Sequence, residues 1–583
     1  MKQNIKLFRQ QNSLWSKFLD LNPQLFREIK GKLNTRNIVV TAAIAVIVQF
    51  VEVIYLLGEL PDSNAAGFKT DLRSRFCLSA MNPEDSTICT KDLLNNWVID
   101  WQLWWLDLFV FLSIISIFAL LVIGTYILIA DVVKEQERGT LNFIRLTPQS
   151  ASSILLGKIL GVPILLYTAI LCFLPLHFIA GLKAQIPLTL VLAFYLTVAA
   201  SCAFCYCLAL LWSLIDFGVS GFKPWLATSL VGLLLFAMTQ GLFSGNLHLS
   251  HPFGWIFLFH PGLILTYLID ATSVPSHKID FLTLAEIDNL SFFGQMWWAK
   301  ASLGITAILF NFSLWTYWCW TILKRRFHQP EGTIISKVHS YWLTSWFAFI
   351  ALGFTLQKNS SNYYYGEHYR STQHLTENFG LLQVCLVIFF LCLIAALSPQ
   401  RQTLHDWARY RHQASKTSLW QELILAENSP SIVAIGINLG IAIAFITPSI
   451  LIFLDQDQRY IFWGFILSAT NILLYAVIAQ FILTFKNRKR AVWSAVAIAS
   501  LILVPPFTLE AAQLTMQTLP QAWLFSFIPT YAAEYATGSA IAIAIFSQWL
   551  AVSVIGLQMT RKLKQAGASE TKILMSRVDA LSK

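Results

Sequence analysis

Residues 103–130 read LWWLDLFVFLSIISIFALLVIGTYILIA and contain a single charged residue, Asp107. A bilayer core about 30 Å thick is crossed by roughly 20 apolar residues in helical conformation. Only a helix also satisfies every backbone polar group within one such segment. The stretch therefore predicts a membrane-spanning α-helix, with Asp107 near one of its ends.

Similar apolar runs recur along the whole chain. Of its 583 residues, 56% are hydrophobic and 12% are charged, and the mean hydropathy is +0.59. That is too little charge to cover a soluble globule of this size. We predict an all-α fold, a polytopic transmembrane helical bundle of about 12 spans. The predicted spans are 38–57, 103–130, 153–180, 186–215, 224–244, 294–323, 340–357, 379–397, 432–454, 461–485, 491–509 and 536–559.

The basic residues predict the orientation. If the N-terminus is cytoplasmic, 31 of the 41 Lys and Arg residues lie on the cytoplasmic side and 10 lie outside, which is the positive-inside pattern. We therefore expect a multi-pass protein of the cell membrane (inner or plasma) with both termini cytoplasmic. The basic clusters follow the ends of spans, so the net charge of +10 does not indicate a nucleic-acid partner. Residues 1–37 do not resemble a cleavable signal peptide, because they are polar and basic.

Four segments are predicted. Residues 1–37 form a cytoplasmic amphipathic segment, 38–330 and 331–560 form two six-span transmembrane halves, and 561–583 form a cytoplasmic basic tail. The first segment would lie on the inner leaflet, broken or kinked at Pro23, unless it is a disordered basic leader. Its apolar and basic positions are Leu14, Phe18, Leu25, Ile29 and Leu33 against Lys17, Arg27, Lys30, Lys32 and Arg36.

The two halves are candidates for remote repeats, since transporters are often built from repeats that are visible mainly in hydropathy. In each half a polar segment follows the second span, at 131–152 and at 398–431. A shift of 278 residues gives weak similarity that could arise by chance. It aligns Leu141 with Leu419, Ser153 with Ser431 and Ile154 with Ile432.

Two cysteines are candidates for a disulfide. Cys77 and Cys89 both lie in loop 58–102, which the topology places outside, where disulfides persist. We predict that they pair. The other seven cysteines lie within spans, where a thiol behaves as a small hydrophobe. The spacing of Cys202 and Cys205 therefore does not indicate a redox or metal role.

An apolar run at 252–269 is too short to cross the bilayer comfortably and is interrupted by a Pro-Gly pair after His260. It predicts a re-entrant or interfacial hairpin whose backbone is shielded by protein. His248 and His251 are close to His260 in sequence, but no carboxylate or cysteine pattern accompanies them. We therefore predict no metal site.

The most informative polar segment, residues 131–158, reads DVVKEQERGTLNFIRLTPQSASSILLGK. It is similar to the segment after the second span in the membrane subunits of ABC-2 type ABC transporters. Those proteins also resemble this chain in an amphipathic N-terminal elbow helix and six spans per domain, so the resemblance covers the layout of roughly residues 20–330. The matching residues are Glu135, Glu137, Arg138, Gly139, Thr140, Pro148, Gly157 and Lys158.

The resemblance implies a permease in which residues 134–146 dock onto an ATP-binding subunit. From the residues alone we predict a charged helix of about three turns beneath the membrane, which would transmit a partner's motion to the adjacent spans. Leu141 and Ile144 would lie on one side of it. The alternative is a solvated helix without a partner. The candidate coupling residues are Glu135, Glu137, Arg138, Gly139 and Thr140.

The second half departs from this pattern. Residues 407–431 contain Trp420, Glu422 and Glu427 but no acidic run before Gly-Thr. The second half is therefore either a degenerate copy or a fused accessory domain.

The sequence contains no phosphate-binding G-x-x-x-x-G-K-[ST] motif. We therefore expect a permease without catalytic residues, cofactor or metal, which exports an unidentified substrate using a separate ABC ATP-binding subunit. The sequence also leaves open whether the chain forms a homodimer or pairs with a second permease subunit.

Two other function classes stay open. A secondary transporter or channel would need ionisable residues deep in the spans, and these are few. They are Glu52, His177, Glu510 and Glu534. A membrane enzyme acting on lipid-linked substrates would need acids on an outer loop, beside Lys278. The candidate acids are Asp270, Asp280, Glu286 and Asp288.

Overall fold

A computed structural model describes most of the chain, and every element of secondary structure named in the described residues is a helix. The all-α fold is therefore confirmed for this part of the chain. The described residues are 22–61, 75–78, 90, 92–93, 96–215, 220–244, 249, 251–275, 278–282, 287, 290–357, 367–414, 418–487 and 489–567.

The chain forms two compact units. Unit 1 comprises Met1–His248, Ile256–Asp288 and Trp297–His328. Unit 2 comprises the remaining segments, of which the largest is Gln329–Lys583. The main division therefore follows His328, close to the predicted boundary between the two halves.

Unit 1 contains ten α-helices, counted over its described residues. The long helix α3 contacts α6, α7 and α8, and α7 packs along α10. The bounds are α1 Pro23–Lys32, α2 Thr35–Gly58, α3 Trp101–Glu137, α4 Thr140–Arg145, α5 Ala151–Gly161, α6 Ile164–Lys183, α7 Leu188–Leu214, α8 Lys223–Ser244, α9 Leu265–Asp270 and α10 Ala301–His328.

Helix α3 is 37 residues long and contains one π-helical turn, Ala119–Ile123. A π turn leaves backbone groups without their usual helical partners. Tyr206 of α7 donates its hydroxyl hydrogen to the Leu120 carbonyl, at 2.8 Å. Tyr206 also approaches Gly124 so closely that any Cβ there would overlap its ring. The turn is therefore held by α7.

Unit 2 is organised around α16, which contacts α12, α15, α17, α19 and α20. The bounds are α11 Lys337–Thr355, α12 Glu367–Leu397, α13 Arg401–Ala414, α14 Leu419–Leu425, α15 Ile432–Phe453, α16 Tyr460–Leu483, α17 Arg490–Ala511, α18 Pro520–Trp523, α19 Thr530–Tyr535 and α20 Gly538–Gly567.

Ten helices in the described residues are long and apolar enough to cross a membrane, or 11 if one bent pair counts as a span. The multi-pass helical bundle is therefore confirmed. The two other predicted spans are the helices α10 and α11, of 28 and 19 residues. Both are rich in Trp and in polar residues, which lowers their hydropathy below that of the other spans. The count of about 12 stays a prediction.

The predicted third span, 153–180, is wrong at its start. Pro163 has no N–H to continue a helix and separates α5 from α6. The span by length and composition is α6 alone. Residues Ala151–Gly161 form a separate short helix instead.

Helix α1 begins at Pro23 and the residues before Asn22 lie outside the described part of the chain, so the break predicted at Pro23 stays a prediction. Pro23 occupies the first turn of α1, where its missing N–H costs nothing. Asn22 caps the helix by accepting a hydrogen bond from the Leu25 N–H, at 3.1 Å. Leu14, Lys17 and Phe18 lie outside the described residues.

The apolar run after α8 forms two helical segments, Pro252–Phe259 and Pro261–Asp270, bent by 92° relative to each other. Such a bend is typical of a broken span or of a re-entrant loop, and the sequence predicts a re-entrant or interfacial hairpin. Both ring nitrogens of His260, at the bend, are hydrogen-bonded: the Gly262 N–H donates to Nδ1 at 3.0 Å, and Nε2 lies 3.0 Å from the Thr239 hydroxyl.

Candidate functional site

Helix α1 lies against a glycine face of α5. A Cβ at Gly157 would lie 2.9 Å from atoms of Asn22 and Gln24, and a Cβ at Gly161 would lie 2.6 Å from the Cβ of Glu28. Those distances are too short for any side chain. The two glycines therefore allow the backbones of α1 and α5 to approach closely, which gives the Gly-Lys pair of the motif a packing role.

Lys158, next to Gly157, is a buried cation. Its side chain is 1% exposed, and its Nζ lies 2.8 Å from Asp131 Oδ2 and 2.8 Å from Glu135 Oε2. Both carboxylates belong to the last turns of α3. A buried ammonium is tolerated only when it is paired in this way. Lys158 therefore ties α5 to the end of α3.

The carboxylate of Glu135 has a second cationic partner. Arg27 Nη2 of α1 lies 2.6 Å from Glu135 Oε1 and 3.2 Å from Glu28 Oε1. Lys32 Nζ lies 3.1 Å from Glu28 Oε2. Burial alone would lower the pKa of Arg27, but its hydrogen bonds to Glu28 and Glu135 and the charges of both carboxylates outweigh burial and raise it. The six residues, here called the charge cluster, are Arg27, Glu28, Lys32, Asp131, Glu135 and Lys158.

Three carboxylates of the charge cluster could in principle hold a metal ion, because oxygens of Glu28, Asp131 and Glu135 lie within 4.8 Å of one another. The ammonium of Lys158 already contacts two of them. Three cations and three anions make the cluster neutral. The donor set therefore fits an ion-pair network better than a metal site.

The candidate coupling segment is not one helix of about three turns, so that prediction is wrong. Helix α3 continues to Glu137, and Gly139 then adopts φ of +70°, a left-handed conformation that glycine tolerates without strain. Helix α4 follows with six residues, Thr140–Arg145. The segment is therefore an extended span, a glycine turn and a short helix.

The short helix α4 has one buried and one exposed apolar side. Leu141 and Ile144 are 2% and 8% exposed and pack inward, as predicted. Phe143, which lies between them, and Leu146, which follows the last residue of α4, are 73% and 83% exposed. On the side that the sequence predicts to be cytoplasmic, such side chains indicate a contact surface.

The candidate coupling residues do not form one surface. Glu135 is engaged in the charge cluster, whereas Glu137, Arg138 and Thr140 are exposed. Glu135, a candidate for contact with a partner, thus has Arg27 and Lys158 as its partners within the chain. Gly139 acts through its backbone. Glu28 and Gly161 were missed, and the signal for them was the four-residue spacing between Gly157 and Gly161.

The corresponding segment of unit 2 is built differently. Glu422 of α14 points inward, and its Oε2 accepts hydrogen bonds from Trp407 Nε1 at 2.9 Å and Arg411 Nη1 at 2.8 Å. Lys337 Nζ donates to the Leu423 carbonyl and to the Ser429 hydroxyl. These bonds fix α14 on its inner side. Its exposed apolar residues are Leu419, Trp420 and Leu425.

His177, a candidate proton carrier for secondary transport, is held in a buried hydrogen-bonded chain. The Ser113 hydroxyl donates to the Phe109 carbonyl at 2.7 Å and lies 2.8 Å from His177 Nε2. His177 Nε2–H therefore donates to Ser113, and the Tyr195 hydroxyl donates to Nδ1 at 2.9 Å. Both nitrogens are satisfied in the neutral ring, so the site favours a structural role.

The loops predicted to be outside form ion pairs. Arg75 pairs with Asp107 at 2.9 Å and with Asp280, and Lys278 pairs with Asp100 at 3.2 Å. Asp280 and Lys278, which a lipid-linked enzyme would need, are thus paired with other loop residues. Asp270 is exposed, and Glu286 and Asp288 lie outside the described residues.

Lys278 Nζ also donates to the Cys77 carbonyl, at 2.9 Å. Cys77 is buried and disulfide-bonded. Cys89 lies outside the described residues, so its pairing with Cys77 stays a prediction. Cys202 and Cys205 are both free thiols. His248 likewise lies outside the described residues.

Comparisons of the chain with models of protein families, with curated proteins and with solved structures found no match.

Proposed function

We propose that this chain is the permease subunit of an ABC transporter of the ABC-2 type. It would span the cell membrane with both termini cytoplasmic and export its substrate using a separate ATP-binding subunit. The observation that carries the proposal is the placement of α4, which follows the 37-residue span α3, with Phe143 exposed on the helix and Leu146 exposed just after it.

The exposed side chains supply the contact. Burying a Phe or Leu side chain against a partner contributes about 1.5–3 kcal/mol. The exposed charges of Glu137 and Arg138 precede Phe143 and Leu146 in the same segment. A groove with apolar walls and a charged rim on the ATP-binding subunit would fit this surface.

The buried contacts supply the transmission. Leu141 and Ile144 hold α4 against the rest of unit 1, and Thr140 Oγ1 donates to the Glu135 carbonyl at 3.2 Å. Lys158 joins α3 to α5. A partner that displaces α4 would therefore displace the ends of two membrane-associated helices together, which is the movement a transporter needs.

The test removes the apolar contact and keeps the fold. In the double variant Phe143→Asp/Leu146→Asp, we expect binding of the ATP-binding subunit to weaken at least about tenfold, which corresponds to about 1.4 kcal/mol. Both side chains are exposed, so membrane abundance should not change. The chain is purified in lipid nanodiscs, and bound protein is quantified by labelling with a photoreactive ATP analogue.

The matched control is Asn142→Asp/Gln149→Asp, which introduces the same two charges in the same segment and keeps both apolar side chains. The control should retain the ATP-labelled partner. If the Phe143→Asp/Leu146→Asp variant retains it as well, docking on α4 is wrong. If the unmodified chain brings no ATP-labelled protein from native membranes, the proposed function is wrong.

A further inference from the structure

A sequence pattern in unit 2 repeats the bent segment after α8. Residues 252–267 read PFGWIFLFHPGLILTY, and residues 520–535 read PQAWLFSFIPTYAAEY. Both contain P-x-x-W-x-F-x-F-x-P followed by Tyr six positions after the last Pro. Pro and Trp are rare in this chain, with 19 and 21 occurrences, so two such matches at fixed spacing point to duplication rather than composition.

The two segments occupy the same place in the order of helices. The first lies between α8 and α10, and the second between α17 and α20, which in each case are the fifth predicted span and the last. The last Pro lies at the start of a helical segment in both. Pro261 is the first residue of the segment after the 92° bend, and Pro529 is the residue before α19.

A second repeat lies at the third predicted span. Gly157-Lys-Ile-Leu-Gly161 of α5 corresponds to Gly436-Ile-Asn-Leu-Gly440 of α15, so both helices carry G-x-x-L-G. This repeat provides a reference point for aligning the segments that precede it in the two units. Helix α4 ends 12 residues before the first glycine of its repeat, and α14 ends 11 residues before the first glycine of its own.

Helix α14 is therefore the counterpart of α4. The two have similar lengths, six and seven residues, and each is fixed on its inner side. Each also presents exposed large apolar residues. In α14 these are Leu419, Trp420 and Leu425, which are 42%, 67% and 49% exposed. The helices differ in sequence, but they agree in position and in the kind of surface they present.

We propose that the two units are an internal duplication and that α14 binds a second copy of the ATP-binding subunit that binds α4. The inference rests on the proposed function. One chain would then engage two copies of the ATP-binding subunit, and no second permease chain would be needed. The repeats identify the protein that α14 binds, because a duplicated docking helix at an equivalent position would meet the same protein. Contact of Trp420 with the membrane surface is the competing outcome.

The test places a photo-cross-linking amino acid at position 143 or at position 420 in the full chain, in native membranes. Both native side chains are exposed, so the substitutions should not disturb folding. We expect the same protein, labelled by a photoreactive ATP analogue, to be captured from both positions. The control position is Leu93, which is fully exposed and lies in a loop predicted to be outside. It should capture none of that protein.

Native mass spectrometry of the purified complex measures the stoichiometry. We expect one chain with two copies of the ATP-binding protein, falling to one copy in the variant Leu419→Asp/Trp420→Asp. The variant Ser418→Asp/Gln421→Asp places the same two charges on exposed positions of this segment and should keep two copies.

The outcomes separate the two proposals. Capture from position 143 alone, capture only of lipid from position 420, or a complex with one ATP-binding protein per chain would overturn the duplication of the docking site and leave the proposed function standing. Absence of an ATP-labelled protein from both positions would reject the proposed function too.

Discussion

At the scale of single residues, the motif after the second span separates into two kinds of position. Glu135 and Lys158 are buried partners, and their side chains are 14% and 1% exposed. Glu137 and Arg138 are exposed. A run of charges in a sequence therefore combines positions that hold the fold with positions that are free to meet a partner, and only burial distinguishes the two.

Glu135→Ala and Glu137→Ala form a matched pair that tests this distinction. Glu135→Ala leaves the buried Lys158 ammonium with Asp131 alone, so we expect a loss of about 1–3 kcal/mol in stability. Glu137→Ala removes no buried contact and should change stability by less than about 0.5 kcal/mol. The midpoint of denaturant unfolding in detergent measures both. Equal midpoints for the two variants would show that the charge cluster does not stabilise the fold.

At the scale of elements, glycines decide which helices can approach each other. Helix α1 packs against α5 at Gly157 and Gly161. The corresponding glycines of α15 are Gly436 and Gly440, and no described atom lies within 4 Å of a Cβ built at either. The glycines of the G-x-x-L-G pattern therefore pack against a second helix in unit 1, but against no described residue in unit 2.

The variants Gly161→Ala and Gly440→Ala should consequently have opposite effects. In α5 the new Cβ would lie 2.6 Å from the Cβ of Glu28, so α1 must shift, at a cost of about 1–3 kcal/mol. In α15 the same change meets open space among the described residues and should stabilise the helix by roughly 0.5–1 kcal/mol. Thermal unfolding midpoints distinguish the signs. A drop for Gly440→Ala as large as that for Gly161→Ala would contradict the explanation.

At the scale of the whole molecule, the long apolar helices establish a multi-pass membrane protein, and the division into two units agrees with two rounds of a similar helix order. A single shift of 278 residues does not align the repeats on which the proposed duplication rests. The P-x-x-W repeat requires a shift of 268, and the G-x-x-L-G repeat requires a shift of 279. Loops of different length between the repeats cause this drift.

The orientation is predicted from charge. Because the predicted spans place 31 of the 41 Lys and Arg residues on one side, we expect both termini to be cytoplasmic. A reporter active only in the cytoplasm, fused after Lys583, should be active, and one active only outside should be silent. The same pair of reporters inserted after Leu93 should give the opposite result. Activity of the outside reporter at Lys583 would reverse the orientation.

The sequence by itself determined that the chain lies in lipid and that its fold is all-α. The length of an apolar run and the helix that satisfies its backbone are local properties. Residues 103–130 predict their helix without any distant contact. Other features depended on the tertiary structure. The partners of Glu135 are 108 residues away in Arg27 and 23 residues away in Lys158. Burial and pairing are set by which helices pack together, and local sequence does not encode that directly.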